Sequence, residues 1–241
     1  MTFTVRRIIN SINYRVLAPF TRRDERQWAS KTDFRKTHRS LFRQLRSAYT
    51  EDEAVRIAVG GEFDGFGVLM RETLRFHGLT TEDYLIDVGC GAGRLAKPLS
   101  EYLRGKYLGI DVVPGLVEYA RRFVARPDWR FEVAEGLTIP EADEQADMVC
   151  FFSVLTHLLH EESFVYLREA HRVLKPGGKI VLSFLDFRVA DHWGSFESNV
   201  RDIGIGAQPM NVFLCPDMLR EWARRLDLEI GAAAGGRAAD R

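Results

Sequence analysis

The chain has 241 residues, 46% of them hydrophobic and 28% charged, with 34 basic and 34 acidic side chains. This excludes collagen-like, low-complexity and wholly disordered classes and leaves one large globular domain or a core with an appendage. No run approaches the ~18 consecutive apolar residues of a membrane span, the first twenty residues lack the apolar core of a secretory leader, and Cys90, Cys150 and Cys215 form no CxxC pair. A reducing, cytoplasmic setting is the expectation.

Net neutrality hides an asymmetry: residues 1–50 carry 12 basic and 3 acidic groups, and residues 51–241 carry 22 and 31. A basic arm on an acidic body implies an anionic partner for the arm, docking of the arm onto the body, or simply a solvated helix. Val5, Ile8, Ile9, Ile12 and Val16 recur at helical spacing between Arg6, Arg7 and Arg15, which predicts an amphipathic helix ended by Pro19. Residues 1–20 could then serve peripheral membrane binding or self-association. Residues 33–48 predict a second helix with Phe34, Leu41, Phe42 and Leu45 as its apolar stripe, and 66–77 a third, closed by Gly78.

From Thr81 the texture changes to short apolar strands alternating with helices. Strands are predicted at 84–88, 106–111, 129–133, 147–152 and 179–184, and helices at 94–104, 114–126 and 161–174, with little regular helix over 137–146. Alternation at this pitch implies a parallel sheet with right-handed crossovers. Residues 185–215 show no clean period and read as a long functional loop. A helix at 217–225 and a last strand at 226–230 follow, then a Gly/Ala-rich tail, 231–241, expected to be disordered.

The first of these strands ends in Asp87 and runs into Gly89-Cys90-Gly91-Ala92-Gly93, and the second ends in Asp111. Glycines admit a ligand close to the backbone, the following helix N-terminus offers free N–H groups, and a carboxylate at the second strand's end can accept hydrogen bonds from a ribose diol. Residues 91–96 also satisfy the relaxed dinucleotide pattern GxGxxA, so an NAD(P)-dependent oxidoreductase is the first rival. Asp87 beside a pyrophosphate and the lack of a Tyr-x-x-x-Lys pair after the fourth strand argue against it.

Five segments in order resemble the class I S-adenosylmethionine-dependent methyltransferases: LIDVGCGAGR (85–94), GID (109–111), AEG (134–136), DMVCFFSVLTHL (147–158) and RVLKPGG (172–178). The resemblance covers about residues 60–230. It implies a Rossmann-like, doubly wound, mostly parallel α/β sheet with an N-terminal helical extension (1–59), a methyltransferase domain (60–230) and an acceptor lid over 185–215. It implies S-adenosyl-L-methionine as cofactor. Gly89 and Gly91 would lie beside its methionine part, with Asp87 shaping the loop and Cys90 within it. Asp111 would hold the ribose hydroxyls and Val112 the adenine face. Glu135 and Gly136 would lie on the adenine side, and Phe152 and Ser153 would contact the methionine part. Cys90 and Cys150 themselves read as small packing residues. The family's sheet usually ends with a sixth strand and an antiparallel seventh beside the fifth. Nothing after 226–230 can supply the seventh, so either the chain lacks it or another segment covers that edge.

Methyl transfer from a sulfonium needs orientation more than a fixed catalytic side chain, and orientation alone can contribute ~7–11 kcal/mol. His157, just past the fourth strand, is the candidate base, and also reads as a capping or core histidine. His192 and Trp193 are candidate acceptor contacts, or a cover for the sheet edge. PhePheSerVal in place of Asn/Asp-Pro-Pro-Tyr, no Pro-Cys and no carboxylate cluster for a metal leave a small-molecule acceptor. Nucleic acid is not expected as a partner. A non-catalytic cofactor-binding protein whose arm engages a partner or membrane is the third reading.

Overall fold

The computed structural model describes residues 2–7, 34–204 and 211–234. The element order is β1 (Thr2–Arg7), α1 (Phe34–Ala48), α2 (Glu51–Val59), α3 (Phe63–Phe76), β2 (Leu85–Val88), α4 (Ala96–Leu99), β3 (Tyr107–Asp111) and α5 (Pro114–Val124). Then come β4 (Arg130–Val133), β5 (Ala146–Phe151), a 3-10 turn (Leu155–His157), α6 (His160–Val173), β6 (Leu174–Ser183), α7 (Ala190–Gly204), α8 (Pro216–Arg225) and β7 (Leu228–Ala234).

These strands form one seven-stranded sheet in the order β4-β3-β2-β5-β6-β1-β7. The run from β4 to β6 is parallel throughout. Alternate strand residues feed two cores, as pleating requires. Ile86, Val88, Ile110, Val149 and Leu182 pack under α6 and α8 on one face. Leu85, Tyr107, Phe131, Met148 and Val181 pack under α3, α4 and α5 on the other. This is the doubly wound arrangement expected from the alternation of strands and helices.

The sheet's far edge differs from the sequence expectation. Residues 5–7, assigned above to an amphipathic helix, belong to β1, which lies antiparallel between β6 and β7. Residues 8–16 of that expected helix lie outside the described residues. β1 occupies the place the resemblance assigns to a seventh strand, so another segment does cover the fifth parallel strand's edge. Residues 231–234, expected to be disordered, extend β7, while 235–241 lie outside the described residues.

Three further elements depart from expectation. Residues 51–59 form a helix capped by Thr50, whose side chain accepts from the Glu53 N–H while Glu53 reaches back to the Thr50 backbone. The helix expected over 94–104 is regular only across Ala96–Leu99, where Pro98 withholds an N–H. The 185–215 segment is not a loop throughout, since α7 occupies Ala190–Gly204. Its apolar residues Trp193, Phe196, Val200 and Ile203 do keep helical spacing, interrupted in the sequence by Gly194.

Helix α1 of the basic arm is docked rather than free. Phe42 of α1, Ala54 and Val55 of α2 and Phe63 of α3 share a third core with Ala92 of the glycine loop and Val113 and Leu116 beside it. Gly115 makes room for the Phe42 ring, since a Cβ there would lie 2.5 Å from Phe42 Cε1. Burying a phenylalanine ring in this way contributes about 1.5–3 kcal/mol to holding the helix down.

Candidate active site

The carboxyl ends of β2, β3 and β5 open into a cleft of about 190 Å³, roofed by α1 and the end of α2. Strand order reverses at β2, and that is where open parallel sheets bind ligands. At the end of β2 the Gly89 and Cys90 N–H groups both donate to the Ile110 carbonyl, at 2.7 and 3.0 Å, which turns the chain across β3. Gly89 and Gly91 take φ of +78° and +52°, a conformation glycine adopts without a Cβ penalty. At Gly89 a Cβ would also come within 2.3 Å of Val154 Cγ2. The loop thus presents bare backbone to the cleft.

Asp111 ends β3 beside this loop. Its Oδ2 accepts from the Gly91 N–H at 3.0 Å and its Oδ1 from the Val113 N–H at 2.8 Å. Each oxygen therefore retains a lone pair, and the residue lines the cleft. Burial raises the Asp111 pKa, and the backbone N–H bonds oppose that rise. Asp87 lies deeper, 3% exposed, where it accepts from the Tyr107 hydroxyl at 2.7 Å and the Cys150 thiol at 3.5 Å. Burial pushes Asp87 up to about 6, against the pull of those hydrogen bonds. The Cys90 thiol is driven up by burial and then by both carboxylates, so it is a neutral packing group.

On the opposite wall, β5 leads into Phe152 and Ser153. Ser153 has φ of +58°, and its N–H donates to Ser183 Oγ at 2.8 Å. A non-glycine residue held there stores backbone strain, and such strain collects at ligand sites. The 3-10 turn then aims His157 into the cleft. Helix α1 adds Phe34 and His38 to the lining. It is tied down by Arg39 Nε donating to the Val112 carbonyl at 2.6 Å and Arg35 donating to the Glu135 carbonyl at 2.9 Å. Arg94 clamps the end of α2, donating to the Val59 carbonyl at 2.6 Å.

Residues 86–182 match the family model described as a methyltransferase domain. Over this stretch the chain is similar to methyltransferase domains. The chain is 32% identical over 152 residues to the ubiquinone biosynthesis O-methyltransferase of Ruegeria pomeroyi, covering 60% of this chain and 59% of that one. It is 28% identical over 144 residues to the chloroplastic tocopherol O-methyltransferase of Arabidopsis thaliana, covering 56% and 41%. The chain thus spans less than two thirds of either relative. Its fold is like that of magnesium protoporphyrin IX methyltransferase from Synechocystis, with a TM-score of 0.55 at 16% identity over 70% of this chain and 74% of that one.

Of the residues the sequence singled out, the fold brings Asp87, Gly89, Cys90, Gly91, Asp111, Val112, Phe152, Ser153 and His157 to this one cleft. Glu135 and Gly136 do not line it, although their neighbour Ala134 does. Glu135 is exposed, and the Gly136 carbonyl accepts from the Tyr166 hydroxyl at 3.0 Å. That bond ties the segment to Tyr166 of α6. His192 and Trp193 are not in the lining either, because α7 organises them locally. His192 Nδ1 accepts from the Asp186 N–H at 3.0 Å, and Trp193 Nε1 donates to Glu197 at 3.1 Å. Sequence reasoning missed Phe34, His38, Val59, Met70, Arg94 and Tyr166. For His38 a signal existed: it lies four residues from both Phe34 and Phe42, on the same helical stripe.

Proposed function

We propose that this protein transfers a methyl group from S-adenosylmethionine to a small-molecule acceptor. The observation that carries the reading is Asp111, a cleft-lining carboxylate fixed by the Gly91 and Val113 N–H groups with acceptor capacity to spare. A ribose diol is the chemistry that such a group takes, and the bare backbone of Gly89 and Gly91 admits the methionine end. Val112 and Ala134 offer apolar surface for the adenine, and Phe152 and Ser153 wall the opposite side. The residues therefore fit the group. When bound, S-adenosylmethionine supplies an electrophilic methyl on a sulfonium.

The chain's own contribution is to orient and to exclude water. Helix α1 roofs the cleft through Phe34 and His38, and α2 closes it through Ala58 and Val59. Holding the acceptor in line is worth ~7–11 kcal/mol of barrier. His157 is the residue we assign to take the acceptor's proton. The similarity to a ubiquinone biosynthesis O-methyltransferase and a tocopherol O-methyltransferase supports a small organic acceptor.

Calorimetry with S-adenosylmethionine, S-adenosylhomocysteine and NADH tests the reading. Binding of the first two and not the third is expected. Binding of NADH alone would transfer the site to hydride chemistry.

A further inference from the structure

Helix α1 comes from the basic arm, yet it places a second imidazole in the cleft. The His38 and His157 rings meet edge to face with centroids 5.0 Å apart, and both line the opening. We propose that His38 and His157 form a two-imidazole station for a phenolic or enolic hydroxyl: His157 removes the proton, and His38 donates an N–H to the oxygen left behind. This rests on the methyltransferase reading and adds to it the acceptor's class and a second residue that touches it.

The geometry divides the roles. Two imidazoles at this separation cannot both hold an extra proton cheaply. His38 is half-buried, and its pKa is pushed down to about 4, by burial first and by the proximity of His157 second. It therefore stays neutral through the physiological range, with one ring nitrogen as a donor and the other as an acceptor. The proton from the acceptor goes to His157. The step breaks the acceptor's O–H bond and forms an N–H bond on His157, leaving an oxygen lone pair free to attack and a charge that the His38 N–H stabilises. The other titratable side chains lining the cleft are Asp87, Cys90, Arg94, Asp111 and Tyr166, and Arg35 and Arg39 flank His38 on α1 with their guanidiniums on backbone carbonyls. The same cleft is lined by Phe34, Val154, Leu158 and Tyr166, largely apolar surface suited to a flat aromatic or conjugated body.

The test uses 4-nitrophenol, whose phenolate is coloured, with protein saturated by S-adenosylhomocysteine. Binding is expected to lower the phenol's apparent pKa by about one unit, a tenfold gain in acidity. His157→Asn is expected to abolish that shift. His38→Phe keeps an aromatic edge-to-face contact but removes the N–H, and is expected to weaken phenolate binding roughly tenfold. His38→Gln restores a donor and is expected to recover part of the loss. All three variants are expected to bind S-adenosylhomocysteine within about threefold of the parent. Failure of 4-nitrophenol to bind, an unshifted phenol, or a His38→Phe protein that behaves as the parent would overturn the proposal. Failure of the parent to bind S-adenosylhomocysteine would instead defeat the methyltransferase reading itself.

Discussion

Replacing Asp111 by Asn tests the centre of the functional argument with almost no change of shape. In the parent both carboxylate oxygens accept backbone N–H groups, from Gly91 and from Val113. An amide has one oxygen, so its NH₂ must face one of those donors. The buried mismatch costs about 1–3 kcal/mol, which in a chain of this size lowers Tm by roughly 2–4 °C per kcal/mol. The cofactor loses more than geometry. Hydrogen bonds to a charged acceptor contribute ~1.5–3 kcal/mol each, against ~0.5–1.5 for neutral ones. Two ribose hydroxyls would forfeit about 2 kcal/mol together, roughly a thirtyfold weaker Kd. Calorimetric titration with S-adenosylhomocysteine measures the second effect and thermal denaturation of the free protein the first. A variant that melts several degrees lower but binds with unchanged affinity would refute the assignment of Asp111 to the ribose. It would leave the residue as a brace for the glycine loop.

Two further perturbations test the frame. Asp87 has its pKa raised from an ordinary 3.8 to about 6 by burial, so its stabilising contribution is complete below about pH 4 and is lost as pH rises through 6. Relative to Asp87→Asn, the parent is expected to lose on the order of 3 kcal/mol of stability across that window and nothing further above it; urea denaturation at stepped pH measures this, and a pH-independent difference between the two proteins would contradict it. Val5 lies opposite Ile180 on β6 and Ile230 on β7, so Val5→Pro removes a ladder N–H from an interior strand, and thermal denaturation should show a Tm lower by several degrees. An unchanged Tm would mean that β1 adds little to the sheet.

The five parallel strands were legible because each is a short apolar run bounded by Gly, Pro or Asp, and the cleft residues at their carboxyl ends were legible with them. β1 was not, because Val5, Ile8 and Ile9 satisfy a helical period. Over Thr2–Arg7 alone, however, Phe3 and Val5 alternate with Thr2, Thr4 and Arg6, which is a strand's period of two. Helix α2 was missed although its signal, the capping box of Thr50 and Glu53, stands in the sequence. Helix α7 was hidden by Gly194, although its apolar residues keep step around that glycine. Glu135, Gly136, His192 and Trp193 lie outside the cleft lining for a common reason. Which way a loop or a helix face turns depends on partners such as Tyr166 and Asp186, which are distant in sequence or set by tertiary packing.

The position of β1 bears on how the molecule comes to be folded. The strand is made early, yet its neighbours in the sheet are the stretches 179–183 and 228–234, which lie far along the chain. The strands from β2 to β6 can pair through successive local crossovers while residues 2–7 wait. Among the described residues β7 pairs only with β1, so it too is unpaired until that strand arrives. Pairings this distant in sequence slow folding, because the entropy of closing the loop is lost before any contact is made. A turn joining Ala234 to Thr2, which lie opposite one another, would convert the same ladder into a hairpin. The price of the natural order is thus kinetic: the partly assembled sheet exposes the β6 edge to other chains for as long as its closing strand is absent.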